Sequence, residues 1–237
     1  MRINKYLSDC GVASRRKVEE LIRQGRISIN ENVIYELSTK VNSERDIVKV
    51  DGEPVSNKKR VYYLLNKPKG VITTTKDEKG RTTVTDLIKN ETAIYPVGRL
   101  DFNTTGVLLL TNDGDFSYLL THPKHKVPRE YDVKLDKPLT EDDKLILLSG
   151  ISLDSKKSKF ESIVFTSKKN RFLLRVKCFE GRNHFVKRMF QTLGYTVLSL
   201  NRYNFAGIIA DIPIGRYRKL SYSEINRIKV RYALQNI

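Results

Sequence analysis

Gly98-Arg99-Leu100-Asp101-Phe102-Asn103-Thr104-Thr105-Gly106 leads without a break into Val107-Leu108-Leu109-Leu110-Thr111. The second half reads as a buried strand, and the first as a polar loop bracketed by two glycines. A carboxylate at the mouth of such a strand is held rigidly and suits work in a cleft. Spacing alone favours a plainer role for Asp101, as a cap on the amides of Asn103 or Thr104.

Working outward, Val61-Tyr62-Tyr63-Leu64-Leu65 is a second buried run. Asn66-Lys67-Pro68-Lys69-Gly70 reads as a turn and Val71-Ile72-Thr73-Thr74-Thr75 as the next strand. Further strand-like runs fall at 107–111, 131–135, 161–166, 171–179 and 196–203. Helical spacing appears near 115–121, 140–149, 183–193 and 222–231. Strands and helices do not alternate regularly, which predicts an α+β fold with a mainly antiparallel sheet. The chain has no GxGxxG and no GxxxxGK[ST] motif, so no nucleotide cofactor is indicated.

The first 55 residues read as a separate module. Ile3, Tyr6, Leu7 and Cys10 recur at helical spacing. Ser14 is a good N-cap for a second helix carrying Val18, Leu21 and Ile22 on one face. Strands at 26–30 and 46–50 follow, with Glu31-Asn32 and Asp51-Gly52 as turns. Arg15 and Arg16 sit in the first turn of the second helix, where the dipole disfavours cations. Phosphate contact explains them better than a solvated surface pair. Residues 56–60 read as a polar linker, and 61–237 as the second domain.

Charge points to the partner. Of 237 residues, 44 are Lys or Arg and 27 Asp or Glu, a net of +17. Such an excess suits a polyanion, most commonly a nucleic acid. Residues 168–237 hold 15 basic and 3 acidic side chains, so most of the excess lies there. Residues 2–26 hold 7 and 3. Cys10 and Cys178 form no CxxC pattern and read as buried free thiols in a reducing cytoplasm. His122 and His125 have no Cys or carboxylate at zinc spacing beside them. No stretch approaches 18 apolar residues, so no membrane span is expected.

Two more segments carry signals. In Glu180-Gly181-Arg182-Asn183-His184-Phe185-Val186-Lys187-Arg188-Met189-Phe190, Val186, Met189, Phe190 and Leu193 form a core face, while His184, Lys187, Arg188 and Gln191 share the opposite sector. That makes a compact cationic surface. In Pro128-Arg129-Glu130-Tyr131-Asp132-Val133, Tyr131 begins an alternating strand and would not stand out alone.

Taken in order, these motifs resemble a known family. Residues 1–52, with Arg2-Ile3-Asn4-Lys5-Tyr6-Leu7 and Gly11-Val12-Ala13-Ser14-Arg15-Arg16, resemble a small S4 (αL) RNA-binding domain. Residues 61–232 resemble the catalytic domain of the RsuA/RluB-type ribosomal RNA pseudouridine synthases. The resemblance rests on Leu65-Asn66-Lys67-Pro68-Lys69-Gly70, Gly98-Arg99-Leu100-Asp101, Glu130-Tyr131 and Glu180-Gly181-Arg182-Asn183-His184 with Lys187-Arg188-Met189-Phe190.

The resemblance implies roles for single residues. Asp101 matches the nucleophile of uridine-to-pseudouridine isomerisation. Aspartates ordinarily titrate near pH 4 and are ionised at neutrality. Lys187 matches the basic partner of that aspartate. Tyr131 matches the tyrosine that stacks on the target base and is proposed to help remove the C5 proton. Arg99 matches the arginine that fills the gap left by a flipped nucleotide. Lys67, Arg182, His184 and Arg188 are then expected as RNA backbone contacts near the cleft. Arg2, Lys5, Ser14, Arg15, Arg16 and Arg26 are expected as contacts in the S4-like module. No metal or organic cofactor is implied. The partner is rRNA in a ribosome-assembly intermediate, with 23S favoured over 16S, and the enzyme is expected to be monomeric. Phe185 stands where the family usually has Gln. The competing reading is a non-catalytic RNA-binding assembly factor, which would have no chemical need for Asp101, Tyr131 and Lys187 together.

Overall fold

A run of short amphipathic helices and alternating strands opens the chain. In the computed structural model, which describes residues 1–56, 58–167 and 170–233, the chain divides into two compact units. The first comprises residues 1–61 with 90–93 and 112–114, and the second the remainder.

In the first unit, α1 (Ile3–Asp9) and α2 (Arg15–Arg23) bury Ile3, Leu7, Val18 and Ile22 together. Ser14 caps α2, its Oγ accepting from the Lys17 amide at 3.3 Å. The helices pack with β1 (Ile27–Ile29), β2 (Asn32–Val33), β3 (Val48–Val50) and β4 (Glu53–Pro54), joined antiparallel in the order β2-β1-β3-β4. The first hairpin turns at Asn30-Glu31, one residue earlier than expected, with φ of 48° and 69°. Asparagine tolerates that left-handed backbone. Its side chain is also engaged, Oδ1 accepting from the Ile47 amide at 3.0 Å and Nδ2 donating to Asp46 at 2.9 Å. Within the expected linker, the Lys59 carbonyl accepts from Asn112 at 3.0 Å, and Arg60 lies 3.7 Å from both Asp9 and Asp113. Asn57 lies outside the described residues.

The second unit is built on β5 (Tyr62–Lys67), β6 (Tyr95–Pro96), β7 (Thr105–Thr111), β8 (Arg129–Leu135), β9 (Ile151–Leu153), β10 (Lys156–Ser158), β11 (Ser162–Ser167), β12 (Asn170–Cys178), β13 (Val197–Phe205), β14 (Ile208–Ile209) and β15 (Tyr217–Lys219). The main sheet runs β11-β12-β8-β13-β7-β5-β15, with β14 beside β13 and β6 beside β7. Only the β13–β7 pairing is parallel among the described strands. β9 and β10 form a separate hairpin. Helices α3 (Gly114–Thr121) and α6 (Tyr222–Ala233) close one core, where Phe116, Leu120, Ile228 and Tyr232 meet Leu64, Val107 and Leu109. Helices α4 (Glu141–Ser149) and α5 (Phe185–Gln191) complete the unit.

Three expectations are corrected here. Asn66 and Lys67 continue β5 instead of turning, because they pair with Val107 and Gly106 of β7. Residues 71–75 form no strand. The Thr73 hydroxyl donates to the Leu100 carbonyl at 2.6 Å and accepts from its amide at 3.3 Å, tying the segment to the loop before Asp101. Only Ile72 makes a bridge, to Thr83. Helix α5 starts at Phe185, not 183, because His184 takes a left-handed backbone with φ of 51°.

Candidate active site

The loop that carries Asp101 is fixed from three sides. At its start, Thr73 holds Leu100. At its end, Gly106 lies between Lys67 of β5 and Arg202 of β13. A Cβ there would overlap the Arg202 carbonyl oxygen and stand 2.7 Å from the Arg202 amide nitrogen, and φ is 106°, so only glycine fits. Beneath the loop, Lys67 is fully buried. Its ammonium donates to the carbonyls of Pro68, Asp101, Phe102 and Thr104 at 3.0–3.4 Å. Burial pulls the Lys67 pKa down to about 8, against the opposing attraction of Asp101. This placement corrects the expectation that Lys67 contacts RNA phosphate. Its Nζ faces inward and holds the loop.

The capping role that spacing favoured for Asp101 is also corrected. The Thr104 amide bonds the Asp101 backbone carbonyl at 3.0 Å, which leaves the carboxylate free for other partners. Lys187, 86 residues away on α5, donates to Oδ2 at 2.9 Å. His184 Nε2 stands 3.3 Å from Oδ1. The left-handed turn at His184 brings both side chains to the same carboxylate.

Asp101 faces a cleft of about 770 Å³ whose lining includes Arg99, Arg129, Tyr131, Arg182, His184 and Arg202. Tyr131 projects from β8 into its floor and is 9% exposed. Burial pushes its phenol above the ordinary value, opposed by Arg202 and Arg129, so the hydroxyl is protonated at neutral pH. Arg202, itself buried, donates from Nε to the Val107 carbonyl at 2.7 Å. Arg129 donates to the carbonyls of Val127 and Phe179 at 3.0 and 2.8 Å. The Arg129 and Arg202 guanidiniums lie 5.4 and 4.6 Å from the centroid of the Phe205 ring. Sequence reading passed over both arginines. For Arg202 the available signal was a cation in phase with Leu200 on a strand of mixed apolar and polar residues.

Other expected contacts are spread out. Arg99 is exposed at the cleft. Arg182 donates to the Leu153 carbonyl at 2.9 Å and pairs with Glu180 at 2.8 Å and Asp154 at 3.5 Å. Arg188 hydrogen-bonds the same Asp154. Both arginines thereby hold the β9–β10 hairpin beside α5. Phe185, at the usual Gln position, is buried edge-on against Phe160 at 5.9 Å. In the first unit, Arg2, Arg15 and Arg16 are exposed and Lys5 is half-buried on α1. Arg26 instead makes a two-pronged bond to Asp51 at 2.7 and 2.5 Å. Among the described residues no helix is long and apolar enough to cross a membrane.

Residues 61–192 match the sequence profile of the family described as RNA pseudouridylate synthase, and residues 1–47 that of the S4 domain. The ribosomal large subunit pseudouridine synthase B of Bacillus subtilis is 39% identical over 233 residues, covering 96% of this chain and 95% of that protein. An uncharacterized RNA pseudouridine synthase of Aquifex aeolicus is 38% identical over 232 residues, covering 96% and 93%. A crystal structure of a pseudouridylate synthase superposes with a TM-score of 0.70 at 29% identity, covering 96% of this chain and 99% of that one.

Proposed function

The chain belongs to the RNA pseudouridine synthase family, and on that premise we propose that it isomerises a uridine of 23S ribosomal RNA, with Asp101 as nucleophile. It is an isomerase with an N-terminal S4 domain. The observation that carries the assignment of roles is the Asp101–Lys187 pair at 2.9 Å, set at a cleft whose floor is Tyr131. The choice of 23S rests on the Bacillus subtilis relative, whose name places its substrate in the large subunit.

The chemistry follows from those groups. A uridine inside stacked RNA cannot reach Asp101, so the nucleotide flips out, at a cost of a few kcal/mol. Arg99, exposed at the rim, takes the vacated position. The uracil stacks on the Tyr131 ring. With its phenol protonated, Tyr131 serves as platform and hydrogen-bond donor rather than as a standing base. Asp101, aimed by Lys187 and His184, assists cleavage of the N1–C1′ bond. The uracil turns, C5 bonds to C1′, the C5 proton leaves to solvent and N1 takes up a proton, so the product is an isomer of the substrate. Residues 1–55 act as the S4 anchor, 56–60 as linker and 61–237 as the catalytic domain of a monomer that meets rRNA during assembly.

The test is tritium release from 23S transcript made with 5-tritiated uridine. Wild-type protein should release tritium, and Asp101→Asn should lower the rate at least about 10³-fold, the scale expected when a nucleophile is removed. A 16S transcript run in parallel assigns the subunit, and carbodiimide-primer extension locates the uridine. If the wild type matches Asp101→Asn on both transcripts, the protein is a non-catalytic RNA binder.

A further inference from the structure

Tyr118, His122 and Lys124 have no place in the chemistry above, yet they sit together beside Thr121, Pro123 and Lys126, which line the cleft. Tyr118 lies on the outer side of α3 and is 50% exposed. The exposed ring of His122 lies over it, with centroids 4.7 Å apart and planes tilted by 39°. The buried His125 ring meets Tyr118 edge-on at 5.8 Å and braces it. Lys124 Nζ stands 5.6 Å from the Tyr118 centroid. Lys126 follows in the left-handed region, with φ of 44°. Among the described residues, neither Lys124 nor Lys126 has a carboxylate within ion-pair distance.

The same segment belongs to the cleft wall. Thr121, Pro123 and Lys126 line it, and Thr121 Cγ2 lies 3.6 Å from where a Cβ on Gly98 would be, at the head of the Asp101 loop. Tyr35 and Tyr222 are more exposed but have no ring partner among the described residues. An exposed, braced pair of aromatic rings flanked by unpaired ammonium groups suits a nucleobase and its phosphates, because every base offers a π face.

We propose that Tyr118 and His122 form a stacking platform for an unpaired base of the substrate RNA, next to the nucleotide that enters the cleft. Lys124 and Lys126 take the adjoining phosphates. The proposal rests on the RNA reading of the cleft and adds a second base-holding site to it. A flipped nucleotide loses its stacking neighbours, and a second platform beside the cleft holds the opened strand in place.

The test uses the full chain and a 23S transcript. Tyr118→Ala should weaken filter-binding affinity and raise KM about tenfold, within the range for loss of one base stack. Tyr118→Phe keeps the ring and should stay within about twofold. Lys124→Gln should lower the salt slope of binding by about one contact. Photo-crosslinking to transcript carrying 5-iodouridine should label the peptide spanning 114–126. Equal affinity of Tyr118→Ala and wild type, or crosslinks confined to other peptides, overturns the platform, and the rim then serves a protein partner or none. Binding and crosslinking repeated with Asp101→Asn read the platform without turnover. Failure of the platform and failure of the isomerase reading are therefore told apart.

Discussion

Lys67 shows how far a residue's surroundings can depart from its neighbours in sequence. Flanked by Asn66, Pro68, Lys69 and Gly70, it reads as part of a solvated turn, since lysine is rarely fully buried. Folded, it lies inside the sheet with four carbonyls around its ammonium, and its pKa falls to about 8. The cost of removing its charge from water exceeds what the carbonyls and Asp101 return. The unfolded chain keeps the ordinary value of 10.5. Between those values the unfolded state holds a proton that the native state has released, so this residue's contribution to stability rises with pH. Urea unfolding of wild type and Lys67→Met should therefore diverge. The wild type should gain up to about 2 kcal/mol on the variant between about pH 7.5 and 9.5. A constant difference across that range would show that Lys67 titrates normally. Carbonyls left unpaired in the variant add an offset that is the same at every pH, so the change with pH still reads Lys67 alone.

At the scale of elements, Gly106 joins the two halves of the site. It is the point where β7 stops pairing with β5 through Lys67 and meets β13 through Arg202. Two backbone atoms of Arg202, its carbonyl oxygen and its amide nitrogen, would lie within 2.7 Å of a Cβ, and backbone cannot yield as a side chain could. Gly106→Ala should lower stability by at least about 2 kcal/mol, read as a fall in urea midpoint with the slope kept. An unchanged midpoint would mean that the parallel pairing is dispensable. The long elements around this point were legible in sequence. The run Val107 to Leu110 is long and apolar enough to read as a buried strand, and residues 131–135 alternate apolar and polar. β6, β9, β10, β14 and β15 span two or three residues each and show neither pattern. The run at 71–75 has the composition of a strand, but Thr73 bonds Leu100 and not a neighbouring strand. In the site, Asp101, Lys187 and His184 stood out in their local segments. Only folding shows that one carboxylate receives both side chains, because that depends on a left-handed His184.

For the molecule as a whole, composition locates a charge excess but not which cations are open to a partner. The net of +17 includes arginines already committed to internal partners, among them Arg26 on Asp51, Arg182 and Arg188 on Asp154, and the buried Arg202. Only the three-dimensional pairing separates these from Arg15 and Arg16, exposed in the first turn of α2, a turn with no acidic residue. The helix dipole opposes cations there, so the pair has no evident structural purpose, and phosphate contact supplies one. Binding that neutralises phosphates releases counterions, and each lost contact reduces the dependence of log K on log salt by about 0.7 to 0.9. Arg15→Glu combined with Arg16→Glu should therefore weaken 23S transcript binding at least about tenfold at moderate salt and reduce the slope by about 1 to 2. Arg26→Gln removes one positive charge from the same unit, but a guanidinium already held at 2.5 and 2.7 Å by Asp51 contributes less than one contact. Its slope should stay within about 0.5 of wild type. If both variants shift the slope in proportion to charge removed, the S4 unit binds RNA through its overall field, and the two arginines on α2 have no special position.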